Sequence, residues 1–162
     1  PEHGFSKSRF GIRVLNPLRV RAERPYLAGR IVIDRDDPSA SMALARRVLR
    51  DNAFVSVTAG AWEGQLVGKA RIAQGEIELA AGAPRLAHLA AAPLLPVFTV
   101  RDAETGIISL VIEAPIALSA ASGRDGMIAS AVDDFARRHK PYLAMAPLQW
   151  RDWDKLVQRA AT

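Results

Sequence analysis

The hydrophobic positions of this 162-residue chain change their period several times along its length. From Phe5 to Val14 they recur at helical spacing, with Ser6 placed to cap the first turn. Asn16-Pro17 is expected to break that helix, because the residue before a proline is pushed out of the helical region, and a short helical stretch should follow to about Leu27. Gly29 then leads into Ile31-Val32-Ile33, a β-branched run of strand type. Asp37-Pro38-Ser39 opens a second helix, with Met42, Ala45, Val48 and Leu49 on one face and Arg46, Arg47 and Arg50 off it. Asp51-Asn52 stops it, and Phe54 to Thr58 reads as the next strand. Strand, helix and strand in this order predict a βαβ unit.

The second half alternates more loosely. Ala59 to Gln65 is a loop, and Gly68 to Ala80 is expected to be irregular or weakly extended. Gly82-Ala83-Pro84 opens a small-residue helix through Ala91. Leu94 to Val100 is a continuous apolar run of the kind found in central parallel strands. Asp102 to Gly106 is a turn and Ile107 to Glu113 the return strand of a hairpin. A last helix runs from about Arg124 to Arg138, with Ile128, Ala131 and Phe135 on one face. The order predicts a single α/β domain over residues 1–162: three layers, with a mostly parallel mixed sheet flanked by helices.

Composition narrows the chemistry. Hydrophobic residues make up 49%, enough for a core, and a charged fraction of 24% argues against disorder. The absence of cysteine removes disulfides, thiolate nucleophiles and Cys-based zinc sites. No apolar run reaches the roughly 18 residues of a membrane span, and no secretory signal is visible. The net charge of +5 sits in one place: residues 1–35 hold eight basic residues (Lys7, Arg9, Arg13, Arg19, Arg21, Arg24, Arg30, Arg35) against Glu2, Glu23 and Asp34, and the remainder balances 14 against 14. Such a segment attracts phosphates, anionic lipid head groups or nucleic acid.

Nucleic acid is the weakest of these. Phe5, Phe10 and Tyr26 could stack on bases, but no nucleic-acid motif accompanies them. There is no G-x-G-x-x-G, no phosphate-binding lysine loop and no G-x-S-x-G elbow. His3, His88 and His139 are not at metal-ligand spacing. His88, among alanines, reads as a packing or surface residue. His139, in Arg-Arg-His-Lys, reads as a cation at a helix end, where the negative terminus favours it.

Three stretches together resemble the lysophospholipid acyltransferase superfamily, in the branch of the lipid A lauroyl acyltransferases. The strongest is Gly82-Ala83-Pro84-Arg85-Leu86-Ala87 followed by Ala92-Pro93-Leu94-Leu95-Pro96-Val97-Phe98-Thr99-Val100-Arg101. Next is Pro141-Tyr142 through Pro147-Leu148-Gln149-Trp150 and Trp153, similar to the family's closing proline, glutamine and tryptophan signature. Third is Gly4-Phe5-Ser6-Lys7-Ser8-Arg9-Phe10-Gly11, where the family places an acceptor-binding arginine segment. The resemblance covers nearly the whole chain, in the family's order. It implies a glycerol-3-phosphate or lysophospholipid acyltransferase-like fold, and transfer of a fatty acyl group from an acyl carrier protein or coenzyme A thioester to the hydroxyl of an anionic lipid acceptor. The thioester is a co-substrate, and no other cofactor is expected. The expected place is the cytoplasmic face of the bacterial inner membrane, held peripherally against the membrane surface, with no nucleic-acid partner.

The resemblance also implies a catalytic histidine, four residues, then Asp or Glu, with the imidazole taking the acceptor's proton and the carboxylate orienting it. Here the fifth residue after His3 is Ser8, after His88 is Pro93 and after His139 is Ala144. No catalytic residue is therefore assigned within the chain. The signature is expected upstream of Pro1, making this the C-terminal part of a longer acyltransferase domain, inactive by itself. The substrate-binding residues implied are Ser8 and Arg9, the loop residues Trp62, Glu63 and Gly64, and Arg101. Arg9 matches an anionic group bidentately. Trp62 and Glu63 follow a βαβ strand at the end where open α/β sheets bind ligands. Glu63-Gly64 echoes the family's Pro-Glu-Gly loop without its proline. Arg101 ends the apolar strand, and its alternative use is an ion pair with Asp102 or Glu104. The alternative function is a non-catalytic α/β domain that binds anionic lipid or a partner through the basic N-terminal segment.

Overall fold

Helices and hairpins form wherever local hydrogen bonding closes quickly. In a computed structural model, residues 8–32, 38–60, 67–119 and 123–158 are described. The chain divides into two compact units, Pro1–Val48 and Leu49–Thr162.

Among the described residues of the first unit, Ser8 caps a first turn: the Gly11 N–H donates to Ser8 Oγ at 3.0 Å. Ser6 lies outside the described residues. A π-helical turn, Gly11–Leu15, runs directly into α1, Asn16–Glu23. The expected break at Asn16-Pro17 does not occur. Asn16 is helical (φ −65, ψ −44) and its N–H reaches back five residues to Gly11 O. Pro17 has no N–H to offer, and its ring crowds the carbonyl four residues back. A π turn, which carries an extra residue, is a local adjustment that lets the helix pass such a point. Glu23 closes α1 by accepting from Arg19 Nε at 2.7 Å and from Arg30.

Ile31 and Val32 form no strand, and Ile33 lies outside the described residues. Helix α2, Pro38–Arg50, follows most of the expected pattern: Ala45 is buried, Met42, Val48 and Leu49 half-buried, Arg47 and Arg50 exposed, but Arg46, expected off that face, is half-buried with its Nε buried. Asn52, in the left-handed region at φ 57, ends it. Beyond it the expected strand Phe54 to Thr58 pairs with no strand among the described residues, Phe54 is 93% exposed, and no βαβ unit is formed among the described residues. A β-branched run becomes a strand only when a neighbour takes its N–H and C=O groups.

The second unit is built on β1, Val67–Ile72, and β2, Gly75–Ala80, in the stretch expected to be irregular. They pair antiparallel from Val67 opposite Ala80 to Ile72 opposite Gly75. The period-2 pattern is plain once the strands are set side by side. Ala70, Ile72, Ile77 and Leu79 are buried, while Lys69 stands opposite Glu78 and Arg71 opposite Glu76 on the other face. The two-residue turn is Ala73-Gln74, with Ala73 at φ 52, where such hairpins normally carry Asn-Gly or Gly. A short β5, Val157–Gln158, adds to β2.

Helix α4, Gly123–Met145, lies on the inner face of this sheet through Met127, Ile128, Val132, Ala136 and Leu143, all buried. It runs past the expected end at Arg138 and takes Pro141 into its interior. Helix α3 is Gly82–Ala90, ended by Ala91 at φ 50. The run expected as a central parallel strand supplies instead β3, Val97–Arg101, which pairs antiparallel with β4, Ile108–Ile112, around the expected turn. The described residues thus form a mixed α/β arrangement with four α-helices, and both of their sheets are antiparallel rather than mostly parallel. A tight hairpin joins antiparallel strands with two to five residues, whereas parallel pairing needs a crossover of about a dozen. The sequence between these strands supplies the short connections.

Candidate functional site

The β3–β4 hairpin carries the most distinctive local geometry. Register places Val97, Thr99 and Arg101 opposite Ile112, Leu110 and Ile108, all on one face. Nothing among the described residues covers that face: Ile108, Leu110 and Ile112 are 66%, 63% and 60% exposed. On the opposite face Phe98 is buried against α4, stacked on Tyr142 (ring centroids 4.2 Å apart), Phe135 (5.5 Å) and His139 (5.6 Å).

At the strand's end the backbone of Arg101 points away from β4, and a side chain takes the place of a third strand. Gln149 Nε2 donates to Arg101 O at 2.6 Å, and Arg101 N–H donates to Gln149 Oε1 at 2.9 Å. Gln149 sits on a 3-10 turn, Pro147–Gln149, held by Trp153 Nε1 donating to Pro147 O at 2.7 Å and by the edge-on Trp150–Trp153 pair (4.8 Å). The two stretches that carry most of the resemblance, 82–101 and 141–153, therefore meet at one bidentate contact. Sequence reading singled out both ends and missed their pairing, which no local pattern encodes.

Arg101 forms no ion pair among the described residues, so the expected partners Asp102 and Glu104 do not hold it. Asp102 is taken by the turn: its Oδ1 accepts from Thr105 N (2.7 Å), Thr105 Oγ1 (2.7 Å) and Glu104 N (3.1 Å). Those bonds, from Thr105 first, hold its carboxyl below the usual range. The guanidinium of Arg101 lies against Gly106, where an added Cβ would stand 3.4 Å from Nη2. Gly106 also has φ +72, a conformation glycine adopts without strain.

Behind the hairpin, Arg138 ties α4 to the end of β4. It donates to Asp134 Oδ2 (2.8 Å) and to Ala114 O (2.6 Å) and lies 3.6 Å from Glu113. Tyr142 Oη donates to Glu113 at 2.8 Å, which with burial raises the phenol's pKa. The hydrogen bond from Arg138 lowers that of Asp134. His139 is not a cation at a helix end. It lies inside α4, half-buried among Phe98, Phe135 and Trp150, with Nδ1 buried and unbonded, and burial lowers its pKa. No carboxylate orients either His88 or His139 among the described residues.

The remaining expected site residues divide. Ser8 caps the first helix, and Arg9 is exposed in its first turn. Both belong to the first unit and Arg101 to the second. Trp62, Glu63 and Gly64 lie outside the described residues. Arg9, Arg13, Arg21 and Arg24 form no ion pair among the described residues, and Phe10, Leu15, Leu18 and Val20 beside them are 63%, 49%, 58% and 44% exposed. A separate open cleft of about 450 Å³ between β1 and α4 is lined by Lys69, Arg71, Arg137 and Lys140 with Glu76 and Asp133. Among the described residues no group of acidic or histidine side chains could hold a metal ion, and no helix is long and apolar enough to cross a membrane. Comparison of the chain with protein families, with characterised proteins and with solved structures finds no match.

Proposed function

We propose that this chain is the C-terminal part of an acyltransferase that moves a fatty acyl group from an acyl carrier protein or coenzyme A thioester to a lipid hydroxyl. The observation that carries the reading is the Gln149 contact at Arg101. It joins the two stretches most similar to the acyltransferases and leaves a guanidinium without an ion pair among the described residues, suited to an anionic acceptor. The catalytic base belongs to a His-x4-Asp or His-x4-Glu signature that these 162 residues lack. The three-layer, mostly parallel acyltransferase-like sheet is, on this reading, a property of the longer domain.

The test is acyl transfer from a radiolabelled thioester to a lipid acceptor by the protein translated with its upstream coding sequence. Transfer is expected there, cut about tenfold or more by Arg101→Ala, the scale of one lost charge-assisted contact. These 162 residues alone should give none. Turnover by the short chain, or an upstream sequence without the signature, overturns the reading.

A second reading rests on a different observation: the exposed helical segment of the first unit, where Arg9, Arg13, Arg21 and Arg24 alternate with exposed Phe10, Leu15, Leu18 and Val20. Such a segment suits the interface of an anionic membrane, where basic residues meet head groups and apolar ones enter the acyl boundary. Binding to phosphatidylglycerol vesicles should weaken as salt rises from 0.05 to 0.5 M (about a threefold shorter screening length). Salt-independent or absent binding argues against it.

A further inference from the structure

We propose that the outer edge of β1, with the flank of α4 beside it, docks an extended acidic peptide segment of a partner protein, which adds to the sheet as a further strand. Such docking is independent of acyl transfer.

The strand order β1-β2-β5 puts β1 at an edge of its sheet. The two-residue turn closes on Ile72 and Gly75, a pair that exchanges both backbone hydrogen bonds in a hairpin of this length. Alternation then turns the N–H and C=O of Gly68 and Ala70 towards β2, and those of Lys69 and Arg71 away from it. The far edge of β2 agrees with this phase. Glu76, opposite Arg71, pairs with β5, and the N–H of Ala80, opposite Val67, donates to Gly60 O. Among the described residues no backbone group takes up the outward N–H and C=O of Lys69 and Arg71. A row of unmet strand groups is a template for another strand.

This edge opens on the cleft of about 450 Å³, whose other wall is α4. Asp133, Arg137 and Lys140 follow one another at helical spacing and share one stripe of that helix. Lys69 and Arg71 stand on the outer face of the sheet, away from α4. An added strand therefore has Lys69 and Arg71 beside one of its faces, and Arg137 and Lys140 beside the other. Against these cations the cleft holds only Glu76 and Asp133. Glu76 is already 3.8 Å from Lys69, whereas Arg71 and Lys140 form no ion pair among the described residues.

The charge selects the occupant. A second copy of β1 running antiparallel would set Lys69 and Arg71 against the same cations of its twin, and like charges across a strand pair are destabilising. An acidic helix would meet the cations but leave the backbone row unmet, since its own N–H and C=O groups are spent internally. A nucleic-acid strand carries no N–H and C=O groups in strand register. An extended acidic segment satisfies both the row and the charge.

The test uses the whole 162-residue chain, isotope-labelled, and a short blocked peptide of alternating glutamate and threonine. Two controls are the same peptide with lysine in place of glutamate, and the glutamate peptide with all its interior amides N-methylated. The glutamate peptide is expected to bind at least about tenfold more tightly than either, as several exposed charge contacts and strand hydrogen bonds would give. On binding, the amides of Lys69 and Arg71 should exchange more slowly, while that of Ala70, already directed at β2, should not change. Arg71 and Lys140 are both exposed, so their replacement spares the core. Arg71→Ala with Lys140→Ala should weaken the glutamate peptide severalfold, and Arg71→Glu with Lys140→Glu should reverse the preference towards the lysine peptide. Equal binding of the N-methylated peptide overturns the proposal, because strand addition is then not the mode. So does tighter binding of oligothymidylate than of the glutamate peptide, which would make the cleft a nucleic-acid site. Lys69 and Arg71 amides already protected in the unliganded chain also overturn it, since the edge is then covered by this chain or by a second copy.

Discussion

Gly68→Ala tests the packing of β1 against α4, on which the second unit depends. A Cβ added at Gly68 would stand 2.7 Å from Val132 Cγ2, 3.1 Å from its Cβ and 3.2 Å from Cγ1. Val132 cannot step aside cheaply, since it is 4% exposed and its helix is pinned by Met127, Ile128 and Ala136 on the same sheet. Overpacking of this kind costs about 1–3 kcal/mol. Loss of glycine freedom in the unfolded chain returns about 0.4–1 kcal/mol. The net destabilisation is about 1–2 kcal/mol, or a Tm lower by roughly 2–8 °C for a chain of this size. Val132→Ala alone removes two buried methyl groups and costs about 1–3 kcal/mol. Together the two changes should compensate, because the new methyl group enters the space vacated, with a coupling of at least about 1 kcal/mol. Urea denaturation of the four proteins, compared at equal m value, measures the cycle. A neutral Gly68→Ala, or the same cost in both backgrounds, would refute the close approach of β1 to α4.

His139 gives a pH prediction whose sign follows from its burial. Its pKa is lowered from the ordinary 6.5, so the unfolded chain takes up the proton first, and its contribution is complete above pH 6.5 and lost as pH falls below it towards the folded value. Tm should therefore decline between pH 7 and 5.5 in the native protein and flatten in His139→Phe; parallel profiles would show that the imidazole is not buried. Arg138→Met removes the donor to Ala114 O and leaves Asp134 with Arg137 alone, and should lower Tm, with faster amide exchange at Glu113 as the local readout and unchanged exchange as the contrary result. Gly106→Ala forces an L side chain to φ +72 and against the Arg101 guanidinium, and should lower stability by about 1 kcal/mol. In the same variant the Arg101 Nε–H resonance should move, and an unshifted resonance would show that the guanidinium does not lie on the turn.

How much of the site was legible can be read from four places. Arg101 and the Pro147–Trp153 stretch were visible as separate motifs, but their contact spans 48 residues and depends on where α4 delivers the chain. His139 reads from the sequence as a helix-end cation because the helix is expected to end at Arg138, whereas α4 continues through Pro141 to Met145. A proline in a helix removes one hydrogen bond, and burial of Leu143 beyond it offsets that loss. Asn16-Pro17 misled in the same way, and a π turn carried the helix through. The β1–β2 hairpin was missed because Ala73-Gln74 is not a recognised turn pair, although the alternation of Lys69 and Arg71 with Glu76 and Glu78 was there to be matched.

The sequence by itself determined the helices α2, α3 and the body of α4, the β3–β4 hairpin with its turn, the concentration of charge in the first 35 residues, and the lack of a His-x4-Asp or His-x4-Glu pair. These are properties of neighbouring residues: periodicity, caps, turn formers and spacing. The tertiary structure decided strand direction, the fate of the apolar runs at 31–32 and 54–58, the charge state favoured at His139, and the capture of Arg101 by Gln149. Each depends on which distant group supplies a hydrogen bond or excludes water, and a β-branched run or an arginine carries no local record of that.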